Sequence, residues 1–167
     1  MKIKIIDAGN HEESLLYFLK ERVEEIFKKN CCFSREKMKI DFAFVKERNQ
    51  YLADILFKFL KISNPDGEKV VFLIEKDLFT PGYNFIFGKA ELGGKFSIVS
   101  TARLFTEKKD VYYERCSKEV NHELGHNFGL LHCENENCVM FFSNTLSDTD
   151  RKSYKLCERC VKKYERL

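Results

Sequence analysis

Proline and glycine are scarce in this sequence, with two and eight residues among 167. So few flexible or helix-breaking residues, together with 44% hydrophobic residues, exclude a chain dominated by long disordered stretches. The length corresponds to one domain spanning residues 1–167, and the 16 phenylalanines can form a substantial core.

Long apolar runs and blocks of like charge are also missing. The longest apolar run, residues 70–74, is far too short to cross a membrane. Residues 1–7 lack the apolar region and cleavage site of a secretory signal, so we expect a cytoplasmic protein without a membrane partner. The net charge is +3 with acids and bases interspersed, so no nucleic-acid partner is expected.

Histidine is present only four times, and three copies fall within residues 122–132. His122 and His126 are four residues apart, so on a helix both imidazoles face the same way and can hold one zinc ion. Glu123 can then reach a water on that ion. Gly129 can end the helix, and the chain can return His132 as a third ligand. Three protein ligands leave one position open, which is typical of catalytic zinc; the alternative is a helix with solvated histidines.

The sequence contains seven cysteines, and in a reducing cytosol clustered cysteines are more often metal ligands than disulfides. Four of them form a C-x4-C and a C-x2-C pair that can close a tetrahedral structural zinc site: Cys133, Cys138, Cys157 and Cys160. The alternative is free or disulfide-bonded cysteines. The other three, Cys31, Cys32 and Cys116, show no such pattern, and we interpret them as core or surface thiols.

Hydrophobic periodicity predicts an α/β (α+β) fold with a mixed, twisted sheet. The predicted strands are 2–7, 38–45, 69–75, 83–87 and 95–101, and the predicted helices are 12–29, 52–60, 110–129 and 148–166. Residues 63–67 are predicted to form a turn. The last two strands are close enough along the chain to be antiparallel.

The helix ends carry candidate capping residues. Asn10 can cap the predicted helix 12–29, and Asp110 can cap the predicted active-site helix 110–129. Ser147 with Asp150 has the spacing of a capping box. His11 is expected to be solvated or to cap a helix. Residues 130–167 are too few to bury much apolar surface, so a structural zinc would stabilise this small lobe.

The stretch from His122 to Cys160 resembles the metzincins, marked by H-E-x-x-H-x-x-G-x-x-H and a following Met-turn. It is most similar to the archaemetzincins, in which the third histidine precedes Cys, four residues, Cys-x-Met and a later C-x-x-C. Residues 87–94 and 100–104 are also similar to the strand pair before that family's active-site helix. Met140 takes the position of the Met-turn methionine.

This resemblance implies an upper subdomain, about residues 1–129, and a lower zinc-containing one, about 130–167, with a cleft between them. The strand near 84–91 would be a sheet edge to which a peptide adds as an antiparallel strand. Met140 would form a hydrophobic floor below the histidines; otherwise it is a core methionine.

Two positions depart from the family pattern. Sixteen residues separate Met140 from Cys157, about one fewer than the family has, and a loop can absorb this difference. Phe141 and Phe142 stand where some metzincins place a tyrosine near the metal. No oxyanion donor besides zinc is therefore assigned.

The function predicted from these features is a zinc metallopeptidase, a hydrolase acting as aminopeptidase or endopeptidase on peptides or proteins. Glu123 would be general base and then general acid for a water activated by zinc. We expect a monomer with two zinc ions, one catalytic and one structural, and with Phe141, Phe142 and Asn144 as a pocket wall. The alternatives are a non-catalytic or highly restricted zinc-binding interaction module of peptidase ancestry, and a purely structural set of ligands.

Overall fold

The structure, a computed structural model, describes residues 2–63 and 69–167. It contains eight strands: β1 Ile3–Asp7, β2 Cys31–Arg35, β3 Phe44–Val45, β4 Gln50–Leu52, β5 Lys69–Ile74, β6 Leu78–Phe79, β7 Gly88–Ala90 and β8 Phe96–Ser100. The helices are α1 Glu13–Phe27, α2 Ala53–Ser63, α3 Lys109–Asn127, α4 Leu146–Arg151 and α5 Glu158–Tyr164, with a 3-10 turn at Asp41–Ala43.

Five strands form the main sheet, in the order β2-β1-β5-β8-β7. β7 pairs antiparallel with β8, whereas the other neighbours are parallel, so the sheet is mixed as predicted. Every residue of β5 is buried because helices cover both faces of this central strand. A second, three-stranded sheet has the order β3-β4-β6.

Side-chain alternation along the central strands supplies two cores. Ile5, Val71 and Val99 point to the face that α1 and α3 cover, and their neighbours Ile6 and Phe72 point to the α2 face. The active-site helix α3 is therefore fixed directly against the sheet through its apolar side.

Two strand predictions were wrong in position. The strand beside β1 is Cys31–Arg35, not 38–45, where the chain makes the 3-10 turn at Asp41–Ala43 and only Phe44–Val45 pairs. The strand predicted at 83–87 lies later, at Gly88–Ala90, and Ile86 forms an isolated bridge with Leu78. Both errors follow from pairing with distant residues, which outweighs local alternation. Residues 64–67 of the turn predicted at 63–67 lie outside the described residues.

The predicted caps were also wrong. α1 begins after Glu12 and α3 after Lys108, in both cases without a side-chain cap, so neither Asn10 nor Asp110 has that role. The helix predicted at 148–166 is two short helices, α4 and α5. Its capping box joins Thr145 to Asp148, two residues before the predicted pair.

His11 is buried, contrary to the prediction, with 4% of its surface exposed. Its Nδ1 lies 2.6 Å from Asp7 Oδ1 and its Nε2 lies 2.8 Å from Thr101 Oγ1. Asp7 ends β1 and Thr101 follows β8, so the ring connects the carboxyl ends of two sheet strands.

A third core cluster lies within the C-terminal lobe and includes Leu130, Val139 and Met140 beside the cysteines. The lobe is attached to the rest of the protein by a bidentate pair between Arg115 and Asp150, at 2.7 and 2.8 Å. The subdomain boundary near residue 129 stays a prediction. None of the helices in the described parts of the chain is long and apolar enough to cross a membrane.

Candidate active site and metal centres

The last two turns of α3 carry His122, Glu123 and His126. The opposite side of the helix packs Cys116, Val120 and Leu124 into the core, so the two histidines are directed away from the sheet. Glu123 points to the edge strand β7, where its carboxylate lies against Gly88. The predicted spacing therefore places these three polar side chains together on a rigid element.

The chain reverses at Gly129, whose φ of +90° belongs to the left-handed region that glycine adopts without strain. Its N–H donates to the carbonyl of His126, and Leu130 N–H donates to that of Gly125, both at 2.9 Å. This helix end brings His132 back to the other two histidines.

The three Nε2 atoms converge on one point. His126 Nε2 lies 3.1 Å from His122 Nε2 and 3.2 Å from His132 Nε2. Nitrogens bound to one tetrahedral zinc at about 2.0–2.1 Å would be about 3.3 Å apart, so the spacing fits the ion. The donor set, three imidazoles, is also the one typical of catalytic zinc.

Backbone carbonyls orient two of the rings. His122 Nδ1 donates to Val139 O and His126 Nδ1 donates to Leu130 O, each at 2.8 Å. These bonds fix the tautomer that leaves Nε2 free for a metal. Burial, followed by the charge of Lys152, lowers the pKa of His122, and burial is the first cause for the other two histidines as well. All three rings are thus held in the neutral form that binds metals.

Glu123 is nearly buried, with 6% of its surface exposed. Burial, followed by the charge of Glu119 one turn earlier on α3, raises its pKa to about 8. Lys152 and Lys89 act in the opposite direction. A carboxyl group with this environment is suited to accept and return a proton near neutral pH.

A cleft of about 210 Å³ borders this site, and its lining includes His122 and Glu123 but neither His126 nor His132. Residues 85–89, which lead into and begin the edge strand β7, form its upper rim, and residues 142–144 form its lower rim. Glu119 also lines the cleft. Of the predicted pocket wall, Phe142 and Asn144 line the cleft, whereas Phe141 is not among its lining residues.

Two further side chains lie near the histidines. Met140 is fully buried and lies against Gly125, the residue before His126, and its role as a floor below the histidines stays a prediction. The ring of Phe142 contacts that of His132 with centroids 4.9 Å apart.

The four predicted cysteines also come together. Their sulfurs lie within 4.8 Å of one another, and Cys133 Sγ is 3.8 Å from Cys157 Sγ. That distance is too long for a disulfide and close to the about 3.75 Å expected between thiolates on one zinc ion. Burial raises the pKa of Cys133, but the Arg159 guanidinium and further hydrogen bonds outweigh it and lower the value to about 7. Cys31 and Cys116 are buried and Cys32 is exposed, as the prediction of core or surface thiols allowed.

Sequence reasoning missed Glu119 and Lys152. They form a buried ion pair beside the histidines, with Lys152 Nζ 3.0 Å from Glu119 Oε1. The spacing of Glu119 and Glu123 on one helix was a usable signal. Nothing local distinguishes Lys152 from the other lysines.

Known proteins match this chain over most of its length. Residues 31–166 match the model of peptidase family M54. The archaemetzincin of Methanocaldococcus jannaschii is 38% identical over 173 residues, which cover 99% of this chain and 93% of that protein. The archaemetzincin of Methanopyrus kandleri is 44% identical over 126 residues, or 75% of this chain and 72% of that protein.

Solved structures agree with the sequence matches. The crystal structure of the Methanopyrus kandleri archaemetzincin superposes with a TM-score of 0.88 at 38% identity, covering 99% of this chain and 94% of the other. That of the Archaeoglobus fulgidus archaemetzincin, complexed with malonate, gives 0.87 at 34% identity, with coverage of 98% and 99%. The resemblance seen in the sequence and the predicted fold class are confirmed. The chain belongs to peptidase family M54, the archaemetzincins, and is a zinc metallopeptidase.

Proposed function

We propose that His122, His126 and His132 hold the catalytic zinc and that Glu123 is the catalytic base and acid. The observation that carries this proposal is the convergence of three Nε2 atoms next to a nearly buried carboxyl group. The ligands come from a rigid helix and its tightly bonded end, so the site is preorganised.

Zinc, when bound, supplies a Lewis acid that polarises a carbonyl and lowers the pKa of water from 15.7 towards about 7. Glu123 accepts the proton of the attacking water and returns it to the leaving nitrogen. The product therefore leaves as a neutral amine and not as an anion. The three histidines act as ligands and do not transfer protons.

The substrate backbone is proposed to align with β7. This strand is at the end of the main sheet and borders the cleft, so an extended peptide can add to it as a further antiparallel strand. Main-chain hydrogen bonds of this kind give affinity without a side-chain preference.

A second zinc ion is proposed in the four-cysteine cluster, giving two metal ions per chain. Four sulfur ligands leave no open position, so this ion would stabilise the lobe and take no part in hydrolysis. That the protein is a cytoplasmic monomer stays a prediction.

The test compares the unaltered protein with Glu123→Gln on a diverse peptide mixture, with zinc content measured for both and products identified by mass spectrometry. Gln keeps the shape of the side chain but cannot accept the proton. We expect cleavage by the unaltered protein alone, at equal zinc content. Equal cleavage by both proteins would remove Glu123 from the mechanism and indicate a contaminant.

A further inference from the structure

Lys152 is a buried lysine next to the active-site helix. Its side chain is 0% exposed, and its ammonium group lies 3.0 Å from Glu119 Oε1, which also accepts a bond from Thr149 Oγ1 at 3.0 Å. A buried ion pair often stabilises a protein no more than apolar residues of the same volume would, so this pair points to a role in fixing geometry.

The same ammonium group also contacts the turn after Met140. Lys152 Nζ donates to the carbonyl of Phe141 at 3.4 Å. One side chain therefore joins α3, through Glu119, to the segment that runs below the histidines.

The residues on either side of Phe141 contact two of the three proposed zinc ligands. Two positions earlier, the carbonyl of Val139 accepts from His122 Nδ1 at 2.8 Å. One position later, the ring of Phe142 packs on His132. Movement of the Phe141 peptide would therefore disturb one ligand from the helix and one from the returning chain together.

We propose that Lys152 is a positioning residue that holds the 139–142 turn in register with α3 and so sets the arrangement of His122 and His132. Glu119 neutralises the lysine and fixes it to the helix one turn before the ligands. This inference rests on the proposed function of the three histidines. Lys152 does not contact the substrate, because its side chain is fully buried.

The test must separate positioning from simple stabilisation, because Lys152→Met alone leaves Glu119 buried and unpaired. We therefore compare Glu119→Gln with the double variant Glu119→Gln/Lys152→Met. The two proteins differ only in the lysine side chain. Glu119→Gln leaves that charge without a carboxylate, and the double variant relieves this cost to stability, so weaker zinc binding by the double variant cannot be assigned to lost stability. Lys152→Arg, which keeps the charge and its donors, is the conservative variant.

Arg115→Met is the matched control for docking of the C-terminal lobe. Arg115 also joins α3 to the α4 region, through Asp150, but it does not contact the 139–142 turn. We expect it to lower the melting temperature while leaving zinc affinity and kcat close to those of the unaltered protein.

Zinc affinity of the histidine site is measured by chelator competition, and zinc on the cysteines is followed separately by thiol protection. We expect the double variant to bind zinc at the histidines about 10- to 100-fold more weakly than Glu119→Gln, the usual loss for a residue that orients a ligand. Its kcat should fall with little change in KM. Lys152→Arg should retain most of the affinity.

Equal zinc affinity and kcat in Glu119→Gln and the double variant would overturn the proposal and leave Lys152 a stabilising residue. The same loss in Arg115→Met would also overturn it, in favour of general docking of the lobe. Should the unaltered protein cleave no peptide, the zinc measurement still decides the role of Lys152, since it does not depend on turnover.

Discussion

Gly88, in the edge strand, lies against the carboxylate of Glu123. A methyl group in place of the glycine hydrogen would be 2.6 Å from Glu123 Oε1 and 2.8 Å from the carbonyl of Ile98. The edge strand therefore passes so close to the proposed base that a residue with a Cβ does not fit at position 88 without a shift.

We expect Gly88→Ala to lower kcat/KM by about 10²-fold or more, because the methyl group displaces the general base. Zinc content should be unchanged, as no ligand is touched. The measurement is steady-state kinetics on a peptide that the unaltered protein cleaves. Gly82→Ala, where nothing lies within 4 Å of the added methyl but a φ of +91° strains any residue with a Cβ, controls for a loss of stability without contact with Glu123. Parental kinetics in Gly88→Ala would show that the close approach is unimportant.

Gly125 and Met140 should show strong coupling. A Cβ at Gly125 would overlap Met140 Sδ, so Gly125→Ala should destabilise the protein by about 1–3 kcal/mol, although alanine is the better helix former. Met140→Ala should cost about 2–5 kcal/mol through a cavity. The double variant should cost less than the sum, because the new methyl occupies part of the space. Additive values from denaturant unfolding would contradict this packing relationship.

The two proposed zinc sites should respond differently to loss of one ligand. His132 lies at the surface, and His132→Ala should lose zinc at the histidines while the fold is retained. Cys138 is fully buried, and Cys138→Ser should unfold much of the C-terminal lobe, because the lobe has little other core. Zinc analysis and amide hydrogen exchange over residues 130–167 measure both effects. Full exchange protection in Cys138→Ser would mean that the lobe is stable without a complete cysteine site.

The Asp7–His11 pair should make the free energy of unfolding depend on pH in the acidic range. Burial raises the pKa of Asp7, but the hydrogen bond and charge of His11 outweigh it and hold the pKa below the ordinary 3.8. A lowered folded-state pKa means that the unfolded chain binds more protons, so stability falls as pH drops below about 3.8. Asp7→Asn removes this dependence at the cost of stability at neutral pH. The measurement is urea unfolding of both proteins at a series of pH values. The difference between their free energies of unfolding should shrink as pH falls; a constant difference down to pH values well below 3.8 would contradict this account.

The sequence predicted the convergence of the histidines and of the cysteines better than the positions of the strands. His122, His126 and His132 are ten residues apart at most and lie on one helix and its end, so local geometry is enough to bring them together. The cysteine pairs have the same advantage. By contrast, β2 forms only because Cys31–Arg35 reaches β1, and its Cys-Cys-Phe-Ser-Arg sequence shows little strand pattern.

Residues whose roles depend on distant partners were the ones missed. His11 is buried because Thr101, 90 positions away, completes its hydrogen bonds. Lys152 reaches Glu119 only after the C-terminal lobe has docked on α3. Such contacts leave no periodic or spacing signal in the sequence.

The edge strand that borders the cleft has a second consequence, for self-association. An unpaired strand edge is a template for any extended chain, including a second copy of the same protein. Here the strand is three residues long, Gly88–Ala90, and carries a lysine at its centre whose ammonium group is 2.6 Å from Asp54 Oδ1. A short strand with a charge is a poor partner for another folded sheet but is long enough for a flexible peptide. The geometry that admits a substrate therefore also limits edge-to-edge aggregation.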